Sequence, residues 1–367
     1  MSLVKKDEWW EETRNFKKTV KEEYLDINET LAELENNSSV IRLELNTIEL
    51  PLFSKDPKRI KNQIKIYHFK TDKSSYLEIE APANYSIPGE FEERVFIALT
   101  KIMKNNNYSR SFVVSANEIL ETLGLSNKAY YKRIREALTL LSKTNYTFLN
   151  SLYSNKESGI IEKKIMSSIM NITIISKKDS RAKEIEAFED GRIKEVYEIN
   201  FTDYFYENII RKGYLAFDSG KLLAIENSVS RAIYTIVEKW RGYDLYIKRQ
   251  AFFIARRIPL KWDKTQIKRT IDTMEKALIE LRNLNLIKDY KIIKEKKWEL
   301  AEIEITYEES HNKTKRDTFF TEKNEFNSMD MLVTSTEEKI KCISEDFHNG
   351  EISEILNMFP EKVLEMK

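Results

Sequence analysis

The chain has 367 residues, of which 41% are hydrophobic and 33% charged, and its formal net charge is +1. This length allows two or three domains, and this hydrophobic content can fill buried cores, so a wholly disordered chain is excluded. No apolar run approaches the ~18 residues of a membrane span. The single cysteine, Cys342, excludes an internal disulfide framework and fits a reducing compartment.

The near-neutral total hides two basic blocks and an acidic end. Residues 241–298 carry 16 basic and 7 acidic residues, residues 101–150 carry 8 and 3, and residues 308–367 carry 8 and 14. Two basic blocks indicate two surfaces that face a polyanion, although solvated helix faces would give the same counts. The first residues, MSLVKKDEWWEE, contain no apolar signal region, so we expect a cytoplasmic protein.

Residues 1–39 are predicted to form an N-terminal helix, which is either a short coiled-coil seam or a helix docked on the body. Its apolar residues follow a 4-3-4-3 spacing: Val20, Tyr24, Ile27, Leu31 and Leu34. Residues 40–81 read as β-structure with alternating apolar positions. Between the two groups of strands lies the segment IELPLFSKDPKR, residues 48–59, from which Pro51 and Pro57 exclude regular structure.

A first α-rich unit follows Pro88, with a helix that ends near Lys104. Ser115 then caps a short helix with Glu118 three residues on, Gly124 ends it, and Ser126 caps a longer helix. A short helix, a glycine-containing turn and a longer helix are the spacing of a helix-turn-helix. Strands predicted at Tyr146–Leu152 and Ile169–Ser176 would form an enlarged wing.

The longer helix of this unit has one apolar and one basic face. Tyr130 lies on the apolar face with Ile134, Ala137 and Leu141. A role in the core explains this stripe but not why the opposite face is almost purely basic. We predict that this opposite face binds DNA through Lys128, Tyr131, Lys132 and Arg135.

The second α-rich unit repeats this order about 135 residues further along the chain. We predict a charged loop at 177–192, a strand at Val196–Phe201 and a short helix at Asp203–Arg211. A helix over Leu222–Trp240 and a shorter helix over Leu245–Ile258 then lead to a long helix. Asp263 is the predicted N-cap of that long helix.

The long helix is followed by a hairpin with a basic turn, a combination typical of a winged helix-turn-helix. Its apolar stripe comprises Ile267, Ile271, Met274, Leu278 and Leu281. The opposite face carries Thr265, Arg269, Asp272 and Lys276, with Lys268 at the edge. The DNA-binding residues predicted for this unit are Arg256, Arg257, Lys264, Thr265, Lys268, Arg269, Lys296 and Lys297.

The predicted fold class is therefore α+β, with two tandem winged-helix domains. Residues 40–202 form the first domain with a β extension, and residues 203–307 form the second. The N-terminal helix precedes them. A polar linker at 308–334 and a small acidic helical appendage at 335–367 follow.

Two stretches, ELNTIELPLFS (Glu44–Ser54) and SVSRAIYTIVEKW (Ser228–Trp240), together with the order of the two units, resemble plasmid replication initiators. The chain is similar over roughly 40–307 to the replication initiator protein A family and to tandem winged-helix Rep proteins. The resemblance implies sequence-specific binding of double-stranded DNA at the origin repeats (iterons) of a bacterial plasmid. It also implies opening of an adjacent AT-rich region and recruitment of the host initiator ATPase and replicative helicase. A homodimer that represses its own promoter and a monomer that initiates are implied as well.

Enzyme classes find no support in the sequence, so we expect no catalytic residue, metal or cofactor. None of the eight glycines has the G-x-x-x-x-G-K-[ST] spacing of a phosphate-binding loop. The pair Tyr130-Tyr131 resembles the nucleophile of a nicking initiator, but such an enzyme needs paired histidines for its metal, and the three histidines here are far apart. The scarcity of histidine and cysteine also argues against a zinc site. The alternatives that remain are a winged-helix transcriptional repressor without replication activity and a structural or partitioning adaptor.

Overall fold

The computed structural model describes residues 39–69, 74–179, 181, 183–186, 188, 193–262, 265–294 and 297–312. The predicted N-terminal helix, polar linker and acidic appendage lie outside these ranges, apart from Ser39 and residues 308–312. Lys264, Lys296 and the predicted cap Asp263 also lie outside them. None of the described helices is long and apolar enough to cross a membrane.

The described part is a mixture of α-helices and short strands. The helices are α1 (Leu45–Glu49), α2 (Glu90–Asn105), α3 (Ala116–Thr122), α4 (Tyr130–Lys143), α5 (Lys183–Glu186), α6 (Asp203–Ile210), α7 (Ser219–Ala224), α8 (Ser228–Arg241), α9 (Ala251–Arg257) and α10 (Ile267–Asn283). The strands are β1 (Val40–Glu44), β2 (Ile64–His68), β3 (Tyr76–Glu80), β4 (Ser111–Val114), β5 (Asn145–Leu149), β6 (Tyr153–Ser154), β7 (Gly159–Ile160), β8 (Lys164–Ser167), β9 (Met170–Ser176), β10 (Glu195–Phe201), β11 (Tyr214–Asp218), β12 (Tyr246–Gln250), β13 (Asp289–Ile293) and β14 (Glu302–Thr306).

The strands pair antiparallel in small sheets of two to four strands. The sheet orders are β1-β11, β2-β3-β5-β8, β4-β10-β9, β6-β7 and β12-β14-β13. The β1-β11 pair joins the start of the described chain to the second α-rich unit, with Val40 opposite Asp218. The predicted mixture of helices and antiparallel strands is therefore confirmed, whereas the two winged-helix domains stay a prediction.

The helices of both α-rich units form largely where the apolar spacing predicts them. Helix α2 follows Pro88, and the Ser115 hydroxyl accepts the Glu118 backbone N–H at 3.1 Å, as an N-cap does. Gly124 follows α3 with φ +69°, a conformation that glycine adopts without steric strain. The predicted stripe of α10, from Ile267 to Leu281, is fully buried.

The predicted N-cap of α4, Ser126, is wrong, and the predicted N-cap of α10, Asp263, lies outside the described residues. Helix α4 begins at Tyr130 after Ala129, whose N–H is held by the Asn127 side chain at 2.9 Å, so Ser126 does not cap it. Helix α10 begins at Ile267, after Gln266.

Two helices of the second unit differ from the prediction. The segment Leu222–Trp240 is two helices, because Asn227 starts a new one by accepting the Val229 N–H at 2.8 Å. The segment Leu245–Ile258 is strand β12 followed by the short α9. Ile247 of β12 lies opposite Ile305 of β14, so a partner distant in sequence determines this strand.

The predicted enlarged wing of the first unit does not form as one hairpin. Strand β5 pairs with β3 and β8, whereas β9 pairs with β10. Ile79 lies opposite Tyr146, and both side chains are fully buried. The second predicted hairpin does form, because β13 and β14 pair with Ile292 opposite Ile303.

One hydrophobic core runs through both α-rich units, from Ile41 to Tyr307. Buried ion pairs cross this core between the two predicted units. The Glu49 carboxylate lies 2.5 Å from the Lys239 Nζ and 3.0 Å from an Arg257 guanidinium nitrogen, and all three side chains are buried. Buried charges require such partners, so these contacts fix how the units meet.

Candidate nucleic-acid interface

Helix α10 presents a polar face opposite its buried stripe. Lys268, Arg269, Asp272 and Lys276 are all exposed, and Thr265 is exposed just before the helix. Lys268 and Arg269 lie in the first turn of the helix, beside its free backbone N–H groups. This end of α10 is therefore electropositive through both its side chains and its helix dipole.

The hairpin after α10 adds cations at its turn. Lys297 is exposed there. Lys294 is also exposed, and its Nζ lies 4.7 Å from the centre of the Trp298 ring, a cation–π contact that places the ammonium group at the turn. Lys294 was not among the predicted DNA-binding residues, although its position before the predicted turn could have suggested it.

Helix α4 forms a second basic surface. Lys128, just before the helix, and Lys132 and Arg135 within it are exposed. Lys132 contacts Glu136 at 4.0 Å with its side chain 87% exposed, and Arg135 contacts Glu195 at 3.6 Å with 54% exposed. Ion pairs this exposed contribute little, so both cations remain available to a polyanion.

Tyr131 lies beside these cations and is half-buried. Its hydroxyl donates to the Asn117 side-chain oxygen at 2.8 Å, which ties α4 to α3. Its neighbour Tyr130 stacks on Phe91 of α2, with ring centres 6.0 Å apart. The prediction that one of the two tyrosines faces inward and the other lies beside the cations agrees with this arrangement.

The structure contradicts one predicted DNA-binding residue, Arg257. Its side chain is only 4% exposed, and its guanidinium donates to the Glu49 carbonyl at 2.9 Å besides pairing with the carboxylate. A charge held inside the protein in this way cannot reach a phosphate. The neighbouring Arg256 is half-buried and lies at the end of α9.

A carboxylate on α10 anchors this helix to α8. Glu280 accepts the backbone N–H of Glu226 at 2.8 Å and of Asn227 at 3.2 Å, and it also accepts the Ser230 hydroxyl. The first N–H groups of a helix lack acceptors within the helix, and Glu280 is the acceptor for the N–H of the N-cap residue Asn227. Sequence reasoning missed this residue because its partners lie 50 or more positions away.

A second buried ion cluster attaches α8 to α2. Arg231 is 1% exposed, and its guanidinium lies 2.9 Å from the Glu93 carboxylate, which also contacts the Lys55 Nζ at 2.6 Å. The same guanidinium donates to the carbonyls of Leu222 and Ile225. The arrangement satisfies most of its donors without water.

Groups that could carry metal chemistry do not converge in the described ranges. No set of three or more His, Cys, Asp or Glu side chains there is placed to hold a metal ion. The exposed cations of α4 and α10 are instead suited to bind phosphate oxygens and base edges.

The family model for replication initiator protein A matches residues 42–247, more than half of the chain. The chain belongs to the replication initiator protein A family. The match includes both stretches on which the resemblance rests, Glu44–Ser54 and Ser228–Trp240. It ends at Ile247, before α9 and α10, so it is shorter than the expected range of 40–307.

Solved structures with a similar arrangement include domains 2 and 3 of RctB, at 14% identity and a TM-score of 0.49, covering 72% of this chain and 98% of that one. The Pi initiator protein in complex with iteron DNA matches at 14% identity and a TM-score of 0.40, covering 59% and 90%. Both TM-scores lie below 0.5, so the assignment of the chain to its family rests on the family model alone. No curated protein sequence gives a significant match.

The two family stretches meet in the structure. Glu49 comes from the first stretch, whereas Arg231 and Lys239 come from the second. The Glu49–Lys239 pair therefore joins the segments by which the family is recognised. These stretches therefore build the junction between the predicted units.

Proposed function

We propose that the chain initiates replication of a bacterial plasmid by binding double-stranded DNA at origin repeats. Two winged helix-turn-helix domains, residues 40–202 and 203–307, read the DNA through α4 and α10. The alternative, a winged-helix repressor without replication activity, would use the same surfaces.

One observation supports this proposal most strongly. Both helices bury an apolar stripe and expose cations near their N-terminal ends, at Lys128 and Lys132 for α4 and at Lys268 and Arg269 for α10. An α-helix fits the major groove of B-DNA, and its N-terminal half usually reaches the base edges. The same placement of cations on two helices is expected if both helices contact the bases of one repeat; we call α4 and α10 the two readers.

The side chains suit different parts of DNA. Arg269 can donate two hydrogen bonds to guanine, and Asp272 can accept from cytosine. The lysines and Thr265 suit phosphates. The hairpin cations Lys294 and Lys297 are suited to the backbone beside the groove, and Lys264, Lys296 and Arg256 remain predicted contacts. Arg257 is buried against Glu49 and is not part of the proposed DNA contact.

The partners that we propose beyond DNA are those that the sequence resemblance implies. We propose that the bound protein promotes opening of an AT-rich region and recruits the host initiator ATPase and the replicative helicase. A homodimer in equilibrium with a monomer would link self-repression to initiation. The protein would act in the bacterial cytoplasm, without a catalytic residue or cofactor of its own.

A replication assay separates the initiator from the repressor. The gene and its flanking DNA would be joined to a selectable marker on a circle without another origin. We expect the circle to replicate and the Arg269→Ala variant to abolish replication. Lys58→Ala, which changes an exposed cation outside both helices, is the matched control and should replicate. Repression of a promoter reporter without replication of the circle would favour the repressor instead.

A further inference from the structure

Helix α8 contacts α10 directly, and it also contacts α2, the helix against which α4 packs. On one side it packs against α10, and on the other Arg231 reaches Glu93 of α2. Helix α2 in turn packs against α4, through the Phe91–Tyr130 stack and the Arg133 guanidinium 4.1 Å above the Phe91 ring. A continuous path of contacts therefore runs from α4 through α2 and α8 to α10, in which the Arg231–Glu93 ion pair is the link between α2 and α8.

Two consecutive residues of α8 make the directional contacts of this path. The Ser230 hydroxyl donates to Glu280 of α10, and the Arg231 guanidinium pairs with Glu93 of α2. Both side chains are buried, at 0% and 1% exposed. Apolar packing tolerates small sliding movements, whereas hydrogen bonds and ion pairs fix distance and direction.

We infer that Ser230 and Arg231, with Glu280 and Glu93, are positioning residues that hold α4 and α10 at a fixed separation and angle. The protein then recognises the spacing between its two half-sites as well as their bases. This inference rests on the proposed function, in which α4 and α10 are the readers. It assigns a specificity role to residues that do not touch DNA.

Spacing is a sensitive variable in such an arrangement. One inserted base pair shifts a half-site by about 3.4 Å and rotates it by about 35° around the duplex. A rigid pair of readers cannot follow this change without losing contacts at one half-site. Two readers that are less rigidly connected can partly follow the shifted half-site. Such a protein therefore discriminates less between the native spacing and the spacing with one inserted base pair.

The experiment compares affinities for a repeat with native spacing and for the same repeat with one base pair inserted between the half-sites. The variants are Glu280→Ala and Ser230→Ala, which both remove the Ser230–Glu280 hydrogen bond; Glu280→Ala also removes the acceptor of the Glu226 and Asn227 N–H groups. Glu275→Ala is the matched control, because it deletes an exposed carboxylate from the same helix and so changes the net charge equally. Arg231 and Glu93 are left intact because their removal would leave buried charges unpaired.

We expect the wild type to bind the native spacing at least tenfold more tightly than the altered spacing. Glu280→Ala and Ser230→Ala should lower this ratio about three- to tenfold, which lies in the lower part of the range for directly coupled groups. Glu275→Ala should keep the wild-type ratio. Simple destabilisation would weaken binding to both DNAs alike and leave the ratio unchanged.

Two results overturn the inference alone: a wild type that tolerates the insertion, or variants that keep the full wild-type ratio. A wild type with no preference for the repeat over unrelated DNA would instead overturn the proposed function. The two failures are therefore distinguishable in one set of titrations at fixed salt.

Discussion

The pKa values of two buried carboxyl groups, Glu44 and Glu49, are shifted in opposite directions. Burial raises the pKa of Glu44 to about 7, although Asn208, Asn46 and Thr47 donate hydrogen bonds that lower it. Burial also favours a raised pKa for Glu49, but the attraction of Lys239 and Arg257 outweighs it, and the pKa lies below its usual value. Folding should therefore depend on pH through both groups, with opposite signs.

The Glu44→Gln variant tests the first sign. A raised pKa means that the contribution of Glu44 to stability is complete below its usual pKa of 4.5 and is lost as pH rises to about 7. Glutamine does not ionise, so the unfolding free energy of the variant relative to wild type should increase between pH 5 and pH 8. Urea unfolding at these two pH values measures it, and a difference that does not vary with pH would contradict the assignment.

The Glu49→Ala variant tests the ion cluster at the junction. It leaves Lys239 and Arg257 buried without their carboxylate, so we expect a loss of about 3–5 kcal/mol in unfolding free energy. Glu302→Ala removes a carboxylate paired with Lys248 at the surface, where the side chains are 39% and 29% exposed, and should change it by less than about 1 kcal/mol. Equal losses in the two variants would show that Glu49 has no special structural role.

Among single elements, α10 was predicted most completely. Its buried face and its exposed cations follow from one local period of 3.6 residues, which does not depend on distant partners. The strand β12 was misassigned because its conformation is set by pairing with β14. Arg257 was misplaced because its partner, Glu49, lies 208 positions away. Local patterns therefore predicted the candidate readers but not the contacts that hold them.

Substitutions at α10 and its hairpin should have different effects on DNA binding. Arg269→Ala should lose about 1–3 kcal/mol of binding free energy and relax specificity at one base pair. Lys294→Ala should weaken binding to all sequences alike and reduce the slope of affinity against salt by about one unit. Titrations on the repeat and on single-base variants of it, at several salt concentrations, separate the two behaviours. The same uniform effect for both variants would place Arg269 on the phosphates.

On the scale of the whole molecule, the two predicted units share one core and two buried ion clusters. We therefore expect residues 40–307 to unfold in one cooperative transition rather than two. Within residues 40–307 the tryptophans are Trp240, Trp262 and Trp298, all in the second unit, so fluorescence reports on that unit, whereas circular dichroism reports on both units. The two urea curves should coincide, and separate midpoints would show that the units fold independently.

The central claim is that α4 and α10 read different halves of one DNA repeat, and a footprint tests it most directly. Wild type, the Lys132→Ala/Arg135→Ala double variant and Arg269→Ala would be compared on the same repeat at fixed salt. We expect the double variant to lose protection over one half and Arg269→Ala over the other, about one helical turn away on the same DNA face. Loss of the same half in both, or full protection in either, would contradict the two-reader account.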